Sequence, residues 1–152
     1  MSQYSERAVA LFKSGYNCSQ SVFAAFCDKF DMPEETALKV AAGLGGGVGR
    51  MREVCGAVCG AAMLCGMVYG ATDGKDAASK KLTYDKVQEV AAEFRKTNAS
   101  IVCRELLGLS KAAPLPTTPD ARTAEYYKKR PCVQIVEDAA LAAEKVLFSD
   151  ET

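Results

Sequence analysis

Seven cysteines and no histidine stand in a chain of 152 residues. Without histidine there is no Ser/His/Asp or Cys/His catalysis, no mixed Cys/His zinc site and no imidazole switch near neutral pH. Sulfur is left to carry the chemistry, and seven thiols, an odd number, cannot all pair within one chain. Cys55 and Cys59 lie one helical turn apart, a spacing open to a metal pair or a strained redox couple. It is not the CxxC spacing of thioredoxin-like or zinc-ribbon sites. The carboxylates are scattered, and no pair is marked out by position as a general acid/base dyad.

The elements that must position these sulfurs read as helices. Residues 4–14 place Ala8, Leu11 and Phe12 on one stripe that stops at Gly15. Asn17 then caps a second helix carrying Val22, Phe23, Phe26, Cys27 and Phe30, with Cys18 in its first turn. Pro33, Glu34 and Glu35 suit the start of a third. Gly43 to Gly49 contains five glycines and reads as a tight connection free to adopt positive φ. With Arg50 and Arg52 it could cradle an anion, but it lacks a P-loop lysine and the GxGxxG spacing, so it is read as a turn without ligand.

Val54 to Thr72 runs 19 residues without a charge and contains Gly56xxxGly60. A membrane span is one reading of such a segment, and a central bundle helix covered on all sides is the other. The amphipathic character of the remaining segments favours the bundle, so no span is expected. Asp73 to Asp76 marks a polar loop, and Leu82, Val87, Val90, Ala91 and Phe94 lie at helical spacing within 79–97. Ser100 can cap a short helix bearing Ile101, Cys103, Leu106 and Leu107, stopped by Gly108. Lys111 to Pro119, with three prolines, is expected as an extended surface loop. A helix over 120–129 and a last one over about 131–148, with Pro131 first and Cys132 early, complete the chain. No strand alternation and no repeat is visible. The pattern predicts an all-α, single-domain bundle spanning residues 1–152, with about six to eight helices around the apolar Val54–Tyr69 segment.

On this map the cysteines divide. Cys18, Cys55, Cys103 and Cys132 each open a different helix, whereas Cys27, Cys59 and Cys65 lie inside helices as packing residues. A helix N-terminus offers unpaired N–H donors and the positive end of the macrodipole, which favour thiolate. Arg50 and Arg52 before Cys55, Arg104 after Cys103, and Lys128 to Arg130 before Cys132 add positive charge. These thiols are expected to be acidic and nucleophilic.

Lys and Arg, 19 in all, cancel 19 Asp and Glu, so nothing drives binding to nucleic acid or an anionic membrane. Tyr126 to Arg130 mixes aromatics with cations but reads as a solvated helix end. The first residues show no secretory signal, which gives a cytoplasmic expectation and a setting where cysteines stay free, metal-bound or transiently oxidised.

At Cys55-Gly56-Ala57-Val58-Cys59-Gly60, preceded by the glycine run, the chain resembles the C_GCAxxG_C_C family, which carries the description "putative redox-active protein" and is defined by four cysteines and a CGAxxG motif. The family's cysteines fall on Cys18 in Asn17-Cys18-Ser19-Gln20, on Cys55, on Cys103 in Cys103-Arg104-Glu105-Leu106-Leu107-Gly108, and on Cys132 in Pro131-Cys132. Cys27, Cys59 and Cys65 have no place in that pattern. The resemblance implies a small helical bacterial protein, often encoded near transporter genes, with no established substrate.

The leading expectation is thiol/disulfide redox chemistry, which requires no cofactor, with an unidentified redox partner. Cys55 is the preferred nucleophile, and Cys103 and Cys132 are candidate resolving groups. A second reading makes Cys18, Cys55, Cys103 and Cys132 the ligands of zinc or an iron–sulfur cluster. A third is a helical interaction protein whose cysteines only pack. A homodimer sharing the site is left open.

Overall fold

Each helix begins where a side chain can satisfy its first free amides. In the computed structural model, which describes residues 2–149, Ser2 caps α1 (Gln3–Lys13) and Asn17 caps α2 (Cys18–Ala25) in reciprocal boxes with Ser5 and Gln20. A 3-10 turn over Cys27–Phe30 follows. Then come α3 (Glu34–Ala41), with Pro33 at its N-cap, and a second short 3-10 turn over Ala42–Leu44. Cys55 is the N-cap residue of α4 (Gly56–Tyr69), and Asp76 caps α5 (Ala77–Arg95). The short α6 (Cys103–Leu106) and α7 (Ala124–Lys129) precede α8 (Cys132–Phe148). The chain is therefore all-α; apart from one isolated antiparallel bridge between Val54 and Val102, no strand occurs among the described residues.

One apolar cluster joins α1, α2, α3, α4, α5 and α8. α4 packs on α2, α5 and α8, while α8 also lies against α1. α2 is the most enclosed: six of its eight residues are buried, including Ser19 and Ser21. Those hydroxyls are satisfied, Ser21 donating to the Asn17 carbonyl at 2.7 Å and Ser19 lying 2.7 Å from the Ala41 carbonyl. Phe26 stacks between Tyr4 and Phe148, with centroid distances of 4.7 and 5.6 Å.

Three expectations need correction. α4 is not covered on all sides: Cys59, Ala62 and Met63 are half-buried and Met67 is 42 % exposed, because no element packs over that stripe. Its 14 residues extend about 21 Å, and no helix among the described residues is long and apolar enough to cross a membrane. Ser100 does not cap α6. It accepts from the Val102 amide and donates to Glu105, so the helix starts one residue after Val102, at Cys103. Cys27 is not inside a helix but opens the 3-10 turn.

Candidate redox site

Close packing of α4 on α2 begins the site. A Cβ built on Gly60 would stand 2.9 Å from the Ser19 carbonyl oxygen and 3.1 Å from Val22 Cβ, and one on Gly56 would stand 3.0 Å from the Leu44 oxygen. Both glycines thus permit an approach that any side chain would prevent. The consequence is that Cys55, heading α4, lies at the same end of the bundle as Cys18, heading α2.

Cys103 arrives by the Val54–Val102 bridge. The Cys55 amide donates to the Ile101 carbonyl at 2.7 Å, and the Cys103 amide donates to the Glu53 carbonyl at 2.6 Å. The two cysteines therefore flank one pair of bridging residues. Before them the chain turns left-handed: φ is +66, +72, +63, +56 and +63° at Gly46, Gly47, Val48, Gly49 and Arg50, and +61° at Arg52. The glycines make this turn affordable, but Val48, Arg50 and Arg52 each cost about 1–2 kcal/mol there. Amides of Arg50, Arg52 and Glu53 donate back to Gly45, Gly46 and Gly47 and hold the turn. A side chain at Gly47 would come 2.7 Å from Cys103 Cβ. The turn also buries Arg52, whose Nη1 lies 3.6 Å from Cys103 Sγ.

Cys132 starts α8 directly behind Pro131. The proline-rich stretch before α7 is exposed, as expected of a surface loop, yet it also closes over the site. Arg50 Nε donates to the Pro116 carbonyl at 2.9 Å, and Asp120 takes Arg130 at 3.0 Å and Arg50 at 3.7 Å. Arg122 reaches across to the end of α1, donating to the Phe12 and Tyr16 carbonyls at 2.8 and 2.9 Å. Its guanidinium lies 4.4 Å from the Phe12 ring centroid.

These pieces enclose a cavity of about 280 Å³ that is lined by Cys18, Cys55, Cys103 and Cys132 together. Arg50, Arg52, Arg122 and Arg130 line it against a single carboxylate, Asp120. Cys27, Cys59 and Cys65 do not line it. Cys59 is therefore no partner of Cys55 at this site; its thiol points back to the Val54 carbonyl at 3.7 Å. Cys65 is fully buried, and burial lifts its thiol to about 11.

The four thiols are not electrostatically alike. Cys18 donates a hydrogen bond to Cys132, which, against the cost of burial and with help from Arg130, Arg122 and Arg52, brings Cys132 down to about 7. The same hydrogen bond, followed by burial, holds Cys18 well above the ordinary thiol range. Cys55 behaves contrary to the helix-start expectation. Amides of Val58 and Ala57 do favour its thiolate, but burial outweighs them and pushes it up to about 12. Nor do its neighbouring arginines serve it: Arg50 is engaged by Pro116 and Asp120, and Arg52 by Cys103. Arg104 turns away from Cys103 to the Ser110 carbonyl. Burial also pushes Tyr126, beside Cys132, up to about 12, so its phenol stays protonated.

Among the described residues no group of three or more Cys, Asp or Glu side chains is placed to hold one metal ion. The four cysteines as arranged do not fit a zinc or iron–sulfur ligand set, which needs sulfurs converging at about 2.3 Å from one centre. Arg122 and Asp120 were not singled out from sequence, since their role depends on a loop folding back over distant elements.

A helical bundle that gathers four thiols at the heads of four helices, around a cavity rich in arginine, is a cysteine-centred protein in its architecture. The chain belongs to the C_GCAxxG_C_C family, described as "putative redox-active protein", whose model matches residues 16–146. All four cavity cysteines fall within that match. No curated protein and no solved structure matches the chain.

Proposed function

We propose that the protein carries out thiol–disulfide exchange, with Cys132 as the attacking thiolate and Cys18 as the resolving thiol. The observation that carries this reading is the hydrogen bond from Cys18 to Cys132, which makes one sulfur of the pair the proton holder and the other the nucleophile. Cys132 attacks one sulfur of an external disulfide, forming a mixed disulfide and releasing a thiolate. Cys18 then gives up its proton and attacks Cys132, forming the Cys18–Cys132 disulfide and releasing the second thiol. Two electrons pass from the cysteine pair to the external disulfide. An external dithiol returns the pair to its reduced state by the reverse exchange.

This assignment moves the nucleophile from Cys55, the expectation from sequence, to Cys132. Cys55 is 4 % exposed and protonated throughout the neutral range, so it is a poor attacking group. The test is a trapping experiment. A Cys18→Ser chain should accumulate a mixed disulfide on Cys132 when mixed with an excess of disulfide, because resolution is blocked. A Cys132→Ser chain should accumulate none on Cys18. A mixed disulfide that forms first on Cys55 or Cys103 would overturn the assignment.

A further inference from the structure

We infer that the external substrate of this cysteine pair is a small organic disulfide bearing carboxylate groups, an inference that rests on the exchange reading above. The chain as a whole has no net charge, yet the cavity that holds its sulfurs is lined by four arginines and one aspartate. Positive charge is thus concentrated where the nucleophile lies, in a recess with low-dielectric walls that focus the field.

The arginines are not spent. Arg52 engages Cys103 through Nη1, and Arg130 engages Asp120 through Nη2, which leaves further N–H donors on each guanidinium for an incoming carboxylate. Asp120 itself shows the preference, since this carboxylate already lies at the cavity between Arg50 and Arg130. The opposite part of the lining is apolar, formed by Phe12, Leu106, Leu107 and Ile135. A bare inorganic oxyanion would leave that wall against water. An aliphatic disulfide with terminal carboxylates meets both halves, and a cavity of about 280 Å³ lies near the lower end of small-molecule sites, roughly 300 Å³. In the reaction the substrate's S–S bond breaks, its two sulfurs leave as thiols, and the Cys18–Cys132 bond forms.

The test compares probes that differ in charge. Reduced full-length protein is mixed with 3,3'-dithiodipropionate, bis(2-hydroxyethyl) disulfide, cystamine or tetrathionate. Each rate of Cys18–Cys132 oxidation is divided by the rate of the same probe with an unstructured cysteine peptide, which removes intrinsic reactivity. The normalised rate for the dicarboxylate should exceed that for dicationic cystamine by about tenfold or more, and added salt should narrow the gap. Arg52→Gln should lower the dicarboxylate rate more than the rate for the neutral probe, which reads any effect on Cys132 itself. Equal normalised rates, or a preference for cystamine, would overturn the inference while leaving thiol–disulfide exchange standing. A preference for tetrathionate over the dicarboxylate would overturn its organic part. Failure of every probe to oxidise the pair would overturn the exchange reading as well.

Discussion

Cys18, the first residue of α2, donates its thiol proton to Cys132, the first residue of α8, across a cavity wall to which the two helices contribute from 114 residues apart in sequence. One hydrogen bond therefore sets both protonation states. The sulfur that receives it becomes the more acidic, at about 7 against an ordinary 9.0, and the one that gives it becomes the less acidic.

Reactivity should follow that asymmetry. Because only the thiolate is alkylated, a lowered Cys132 reacts over a pH range where an ordinary thiol is still protonated. Its modification by iodoacetamide, followed by mass spectrometry, should rise with pH around a midpoint of about 7. Replacing the donor, Cys18→Ala, should move that midpoint upward by about one unit. A midpoint unchanged in this variant would mean that the arginines alone depress the thiol.

Cys55 should remain unmodified while Cys132 reacts. Its thiol lies at about 12 because burial outweighs the amides of Val58 and Ala57, so alkylation at neutral pH should label Cys132 and spare Cys55. Equal labelling of the two in the native protein would contradict the burial argument.

The glycines that bring α2 and α4 together should be sensitive to one added methyl. In Gly60→Ala the new Cβ meets the Ser19 carbonyl at 2.9 Å, backbone that cannot swing aside. Urea denaturation should show a loss of about 1–3 kcal/mol. Gly66→Ala is the control: open space surrounds that position, and alanine suits a helix better than glycine.

The strap over the cavity should loosen when its latch is removed. Asp120→Asn weakens the ion pairs to Arg50 and Arg130, which tie the proline-rich loop to the left-handed turn and to the start of α8. Limited proteolysis should then cut within 111–123 faster than in the parent chain, with the rest of the bundle resistant. Unaltered cleavage would show that Arg50 on Pro116 and Arg122 on Phe12 hold the strap without Asp120.

Local signals in the sequence were enough for the helices and for the cysteines at their heads. Asn17 with Gln20, Pro131 before Cys132 and the stop at Gly15 all act within a few residues, and the observed helices begin close to where those residues place them. What escaped reading depends on the fold as a whole. The helix-start argument gave Cys55 the right sign for its amides but had no access to burial, which arises from α2 and the glycine turn packing around it. Positive φ at Val48, Arg50 and Arg52 contradicts their own preferences and is imposed by the contacts of the turn. Arg122 matters only because a loop without periodicity lies against the end of α1.

The most direct measurement is the position of the first disulfide. The reduced protein is oxidised with a limiting amount of disulfide, its remaining thiols are blocked in acid, and the linkage is mapped by peptide mass spectrometry. The account predicts a bond between Cys18 and Cys132, with Cys55 and Cys103 recovered as thiols. A first bond between Cys55 and Cys103, or oxidation that spares Cys132, would contradict it.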